Sequence, residues 1–105
     1  MTEARTPERC TTMSEVRAGV DEIDRRLVEL LARRFAYMDA AARIKPTRET
    51  VRDEWRKADV LAKVAAVGDG AGVDRGLIAR LYEDLIECSI AHEMKRWDAL
   101  HPAAE

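Results

Sequence analysis

The stretch ELLARRFAYMDAAARIK, residues 29–45, reads as an amphipathic helix that carries Arg34 and Lys45 where its pattern calls for apolar residues. Working back toward the N-terminus, nothing interrupts the same pattern as far as Thr12, which with Glu15 has the spacing of a capping box; Ser14 is an equally good N-cap. Pro46 stops the pattern on the other side. The spacing therefore predicts a first helix of about 32 residues, roughly 48 Å long at 1.5 Å per residue. At about 100° per residue, Val16, Val20, Ile23, Leu27, Leu30, Leu31, Met38 and Ala41 fall within roughly 60° of Arg34. Arg34 is at the centre of the apolar arc, and Lys45 lies only about 20° from it. Arg17 is offset by about 100° and points elsewhere in its own protomer.

Proline and glycine punctuate the remainder into two more helices. The second is expected from about Asp53 to Val67, with Trp55, Leu61, Val64 and Val67 as its inner residues and GDGAG as its stop. The glycines of VGDGAGVD are not a phosphate cradle, because the closing Lys-Ser/Thr of that motif is missing. The third begins near Asp74, a good N-cap, and runs through LIARLYEDLIECSIAHEMKRW to a stop before Pro102. No period-two alternation marks a strand, so the expected fold is all-α, three helices in a single domain over residues 1–105, with flexible segments at 1–12 and 99–105. A first helix longer than so small a domain cannot bury its apolar stripe against its own chain, which implies a homodimer.

Composition bounds the partners. A chain that is 47% apolar and 36% charged has the make-up of a globular protein, and a formal charge of −2 gives no global attraction to nucleic acid or anionic lipid. Any anion site must be a local cluster of cations. No apolar run approaches the roughly 20 residues of a membrane span, and the polar start MTEARTPERCTT lacks a secretory signal's apolar stretch, so a cytoplasmic location is expected. Cys10 and Cys88 have no CxxC partner and read as reduced and inert. His92 precedes Glu93 without completing HExxH, because position 96 is arginine; no metal is expected. The basic residues of VRDEWRK alternate with acids, which argues against a nucleic-acid stripe, and Trp55 and Trp97 read as packing residues.

Two inward cations need a reason. Burying one without a partner costs several kcal/mol, on the order of what a whole domain can spare. One account is structural: an internal ion pair, with an acid such as Asp24, or long side chains reaching out to water at a dimer edge. The inner arc of the first helix offers no matching acid, so an anionic ligand between helices is the second account. On the third helix, Leu85, Ser89, Glu93 and Trp97 follow at i, i+4 spacing, placing a hydroxyl and a carboxyl on an otherwise apolar face. Asp53 and Arg56 share a face of the second.

The segments EVRAGVDEIDRRLVELLARR, AARIK, VRDEWR and IECSIAHE, in this order on three helices, resemble the all-helical chorismate mutases and their relative isochorismate-pyruvate lyase, from about Pro7 to Asp98. The resemblance implies an intertwined homodimer with two active sites lined by both chains. It also implies site roles for Arg17, contributed across the dimer, Arg34, Lys45, Asp53, Arg56, Ser89 and Glu93, around a small dicarboxylate and without cofactor.

The implied reaction, chorismate to prephenate on the way to aromatic amino acids, is pericyclic. It is accelerated by holding a flexible dianion in a compact conformer and by meeting the charge that grows on the breaking ether oxygen. Arg17, Arg34 and Arg56 would grip carboxylates, Lys45 would donate to the ether oxygen, and Glu93 would do so once protonated. Lys57 stands where many mutases carry a glutamate for the ring hydroxyl, and the lyase branch also lacks that glutamate. Against the lyase, its third-helix glutamine is replaced by Glu93. Cleavage of isochorismate to salicylate and pyruvate is the alternative, and a non-catalytic dimer on the same scaffold is a third reading.

Overall fold

The computed structural model describes residues 5–102, so the outermost parts of the two terminal segments expected to be flexible, 1–4 and 103–105, lie outside the described residues. Every regular element among the described residues is helical: α1 is Met13–Ile44, α2 Glu54–Ala71 and α3 Arg75–Leu100, with 3₁₀ turns at Pro7–Arg9 and Arg48–Thr50. Two compact units divide after Arg34. α1 begins in the first unit and ends in the second.

In the first unit, the start of α1 is closed by the capping box read from Thr12 and Glu15. The Glu15 amide donates to Thr12 Oγ1 at 3.2 Å, and Glu15 Oε1 accepts from the amides of Thr11 and Thr12 at 3.0 and 3.1 Å. Arg5 pairs with the same carboxylate. These bonds satisfy amides that no helical turn precedes, and they hold the Glu15 carboxyl below the usual range, the Thr11 amide contributing most. Further along, Glu22 and Glu29 bridge to Arg25, and Glu22 also to Arg26, at 2.7–3.0 Å on the polar side of α1. The apolar arc is bare: Val20 is 51% exposed, Leu27 52% and Leu30 63%.

The second unit has a small core of Ala42 from α1, Val51 from the connecting segment and Trp97 from α3, with Ile90 and Met94 packed against it. Asp53 caps α2 by accepting from the Arg56 amide at 3.0 Å, and Asp74 caps α3 by accepting from the Leu77 amide at 2.9 Å.

Two expectations for α2 are corrected. The helix continues beyond Val67, through Gly68 and Gly70, to end at Gly72. Gly72 has φ +74°, and the Val73 amide donates back to the Gly68 carbonyl at 2.8 Å, so the stop is a left-handed C-terminal cap. Gly68 belongs to the helix because α3 crosses close to it: a Cβ there would stand 2.9 Å from Ile78 Cγ1. Nor are Trp55 and Val67 inner residues, being 76% and 71% exposed.

Gly68→Ala should destabilise the protein by about 1 kcal/mol or more, because overpacking against Ile78 exceeds the helix-propensity gain of alanine. Gly70→Ala, where a Cβ meets nothing within 4 Å, should be neutral or stabilising by at most about 1 kcal/mol. Urea unfolding of both variants checks the contrast; equal midpoints would show that Ile78 yields freely.

Candidate functional site

Lys45 follows directly on the last residue of α1, where its amide still closes a helical turn to Ala41 at 2.9 Å and Pro46 prevents another. Its ammonium lies 2.7 Å from Glu93 Oε2 and donates to the Val51 carbonyl at 3.1 Å. Glu93 is only 4% exposed and the Lys45 side chain 28%. Among the described residues Glu93 Oε2 has no hydrogen bond, so its contact with the lysine is ionic without being well aligned.

The ion-pair account of Lys45 therefore holds, but its acid comes from α3, not from α1 and not from Asp24. Such a pair contributes little net stability, since the Coulombic gain largely offsets desolvation. It does keep a cation and a carboxyl together away from water. An ammonium has three N–H donors, so one directed to Val51 leaves donors for Glu93 or for an incoming anion.

α3 carries the rest of this wall. Ser89, Glu93 and Trp97 are all buried, one turn apart on one face, as their spacing predicts. The Ser89 hydroxyl donates to the Leu85 carbonyl at 2.6 Å. Trp97 Nε1 donates to the Lys45 carbonyl at 3.0 Å.

The remaining expected site residues stand as follows. Asp53 spends its carboxylate on the α2 cap, and exposed Arg56 turns to Asp59 at 2.6 Å. Both lie at the start of α2, just after Val51. In the first unit, Arg34 is half-buried on α1 and Arg17 exposed. Lys57 is engaged elsewhere: its ammonium binds Glu83 at 2.7 Å and Glu87 at 2.9 Å. Those acids lie roughly 120–160° around α3 from Ser89. Among the described residues no cluster of His, Cys, Asp and Glu is arranged to hold a metal ion, and no helix is long and apolar enough to cross a membrane.

Sequence reasoning missed four contributors. The Val51 carbonyl is backbone and has no residue signature. Trp97 is more than packing, and its signal was available, since a buried indole N–H needs an acceptor. Arg48 holds Asp98 through two hydrogen bonds, 2.8 and 3.2 Å, tying the segment after Lys45 to α3. His92 Nε2 meets Asp39 at 2.7 Å, with its ring edge-on to Phe35, joining α3 to the end of α1.

The chain is similar to known proteins. The family model for chorismate mutase type II matches residues 16–94. The isochorismate pyruvate lyase of Pseudomonas aeruginosa is 32% identical over 100 residues, covering 95% of this chain and 99% of that protein.

One electrostatic tie beside the site gives a pH test. Glu87 accepts from Arg52 at 2.6 and 3.1 Å and from Lys57, and these bonds, Arg52 first, pull its carboxyl from 4.5 to about 2. The folded value lies below the ordinary one, so the stabilisation is complete above the ordinary value and is lost as pH falls through it toward about 2. Thermal melts across that window should show Glu87→Gln with a shallower acid loss than the parent; identical slopes would remove this pairing from the acid response.

Proposed function

The chain belongs to the chorismate mutase type II family, and from that membership and the buried Lys45–Glu93 pair we propose that it rearranges chorismate to prephenate in the cytoplasm, as a homodimer without a cofactor. The observation that carries this reading is the 2.7 Å contact between a half-buried ammonium and a buried carboxyl at the junction of α1 and α3.

A pericyclic rearrangement asks the protein for two things: a compact substrate conformer and a donor aimed at the ether oxygen as negative charge develops there. Lys45 is the donor. Its ammonium is preset by Val51 and Glu93 and needs little reorganisation when the substrate arrives. Glu93 stands beside it as the second group directed at the ether oxygen. Arg34 and Arg56 hold substrate carboxylates, together with Arg17 contributed by a second copy of the chain; Arg56 exchanges Asp59 for the ligand. Asp53 and Ser89 set the ring. The exposed Val20–Leu27–Leu30 side of α1 is what the second copy covers.

A second reading has observations in its favour. Elimination of pyruvate from isochorismate to give salicylate would use the same cations, and the Pseudomonas protein bears that activity in its name. Lys57, bound to Glu83 and Glu87, also leaves the substrate's ring hydroxyl without the glutamate usual in mutases.

Purified protein incubated with each substrate separates the two, by chorismate loss or by salicylate fluorescence from isochorismate; turnover of neither overturns both. On the preferred substrate, Lys45→Ala should lower kcat by about a hundredfold or more with an unchanged circular dichroism spectrum. Glu93→Gln should lower kcat less than Glu93→Ala, because an amide keeps a hydrogen-bond donor in that place. Equal losses in the two variants would rule out a donor role for Glu93. Sedimentation should give twice the 11.9 kDa chain mass, and Leu27→Lys should shift it toward the monomer.

A further inference from the structure

We propose that Trp97 is a positioning residue for this reaction: its indole N–H, by holding the peptide carbonyl of Lys45, sets where the lysine ammonium stands. The proposal rests on the assignment of Lys45 as the ether-oxygen donor. The last carbonyls of a helix have no partner within it, and Pro46, which follows Lys45, prevents the turn that would supply one. The Lys45 carbonyl finds its donor in Trp97 Nε1, 3.0 Å away.

That bond matters because lysine is a poor preset donor. Its charge rides on a flexible four-carbon stem, so its backbone and its head must both be fixed for the ammonium to keep one place. α3 supplies both grips. Glu93 contacts the ammonium at 2.7 Å, and Trp97, one helical turn later on the same face, grips the peptide of the same residue. The two grips are about 6 Å apart along a rigid helix, close to the reach of a lysine side chain. A third hold, the Val51 carbonyl on Lys45 Nζ, belongs to a residue that packs with Trp97 in the core.

Trp97 is itself well held. It is 4% exposed, the ring of His101 stacks on it with centroids 3.9 Å apart, and His101 Nδ1 lies 2.9 Å from its carbonyl. Its neighbour Asp98 holds Arg48 in the segment that follows Lys45. A packing residue in this place needs no polar edge directed at that carbonyl. The structure gives the edge a specific acceptor, and the acceptor is the backbone of the proposed donor.

The test is a double-mutant cycle. Trp97→Phe keeps an aromatic ring and removes the N–H; should the smaller ring unfold the protein, β-(3-benzothienyl)alanine at position 97 keeps the shape and removes the N–H alone. Either change should lower kcat by about ten- to a hundredfold with KM within about twofold, and should lower it no further in the Lys45→Ala background. Losses that multiply in the double variant, or an unchanged kcat, would overturn the proposal. A crystal structure of the position-97 variant separates failure of this inference from failure of the functional reading, because it needs no turnover. Should the wild type turn over neither substrate, separation of Lys45 Nζ from Glu93 in that variant would still support positioning by Trp97, and a contact kept at 2.7 Å would sink it.

Discussion

The second unit is organised around the pairing of half-buried Lys45 with buried Glu93. Neither charge is tolerable alone in that position, since an unpaired buried ion costs several kcal/mol, a large part of what holds a small domain folded. Each therefore constrains the other's helix. The end of α1 must deliver a cation to the face of α3 that presents the acid, and the connecting segment must curl back to bring Val51 beneath it. The small core of Ala42, Val51 and Trp97 sits where those three demands meet. Stability from hydrophobic burial and placement of a charged pair are supplied by the same few residues, so a change in the core is also a change in the site.

α1 meets a different constraint in its earlier part. There the Glu15 cap and the Arg25–Glu22–Glu29 bridges stabilise the helix locally, while its apolar arc is left uncovered by its own chain. Local electrostatics support the helix but do not remove the cost of wetting that arc. Under the proposed function a second copy removes it and also brings an arginine from outside the protomer, so dimerisation and completion of the site become one event.

Much of this was legible because helix boundaries are written in local chemistry. The Thr12–Glu15 box, Pro46, and the caps Asp53 and Asp74 each act within four residues of themselves, and each behaves as its residue type dictates. The pattern Ser89, Glu93, Trp97 was legible for the same reason, as a spacing on one helix. Illegible features depend on what lies across a contact. Gly68 reads as a stop until Ile78 is seen against it, and a wheel drawn for α1 alone cannot contain the acid that α3 brings to Lys45. Trp55 and Val67 were assigned inward from pattern on a helix whose inner face is set by α3 rather than by its own apolar residues. Backbone acceptors such as the Val51 and Lys45 carbonyls leave no mark in the sequence at all.

The distribution of charge around α3 bears on how one scaffold can serve two reactions. Glu83 and Glu87 draw Lys57 and Arg52 to one side of the helix, and Ser89 and Glu93 occupy another with Lys45. The first group is tied together by its own ion pairs. The second is poised, because Glu93 Oε2 contacts a cation without an aligned hydrogen bond. Under the proposed function, an anionic substrate takes the Lys45 charge at the expense of that one imperfect ionic contact, while its ring hydroxyl meets no carboxylate from position 57. On the same reading, binding and ether-bond activation fall to the cation cluster, and discrimination between ring isomers to the α3 face that carries Ser89 and Glu93.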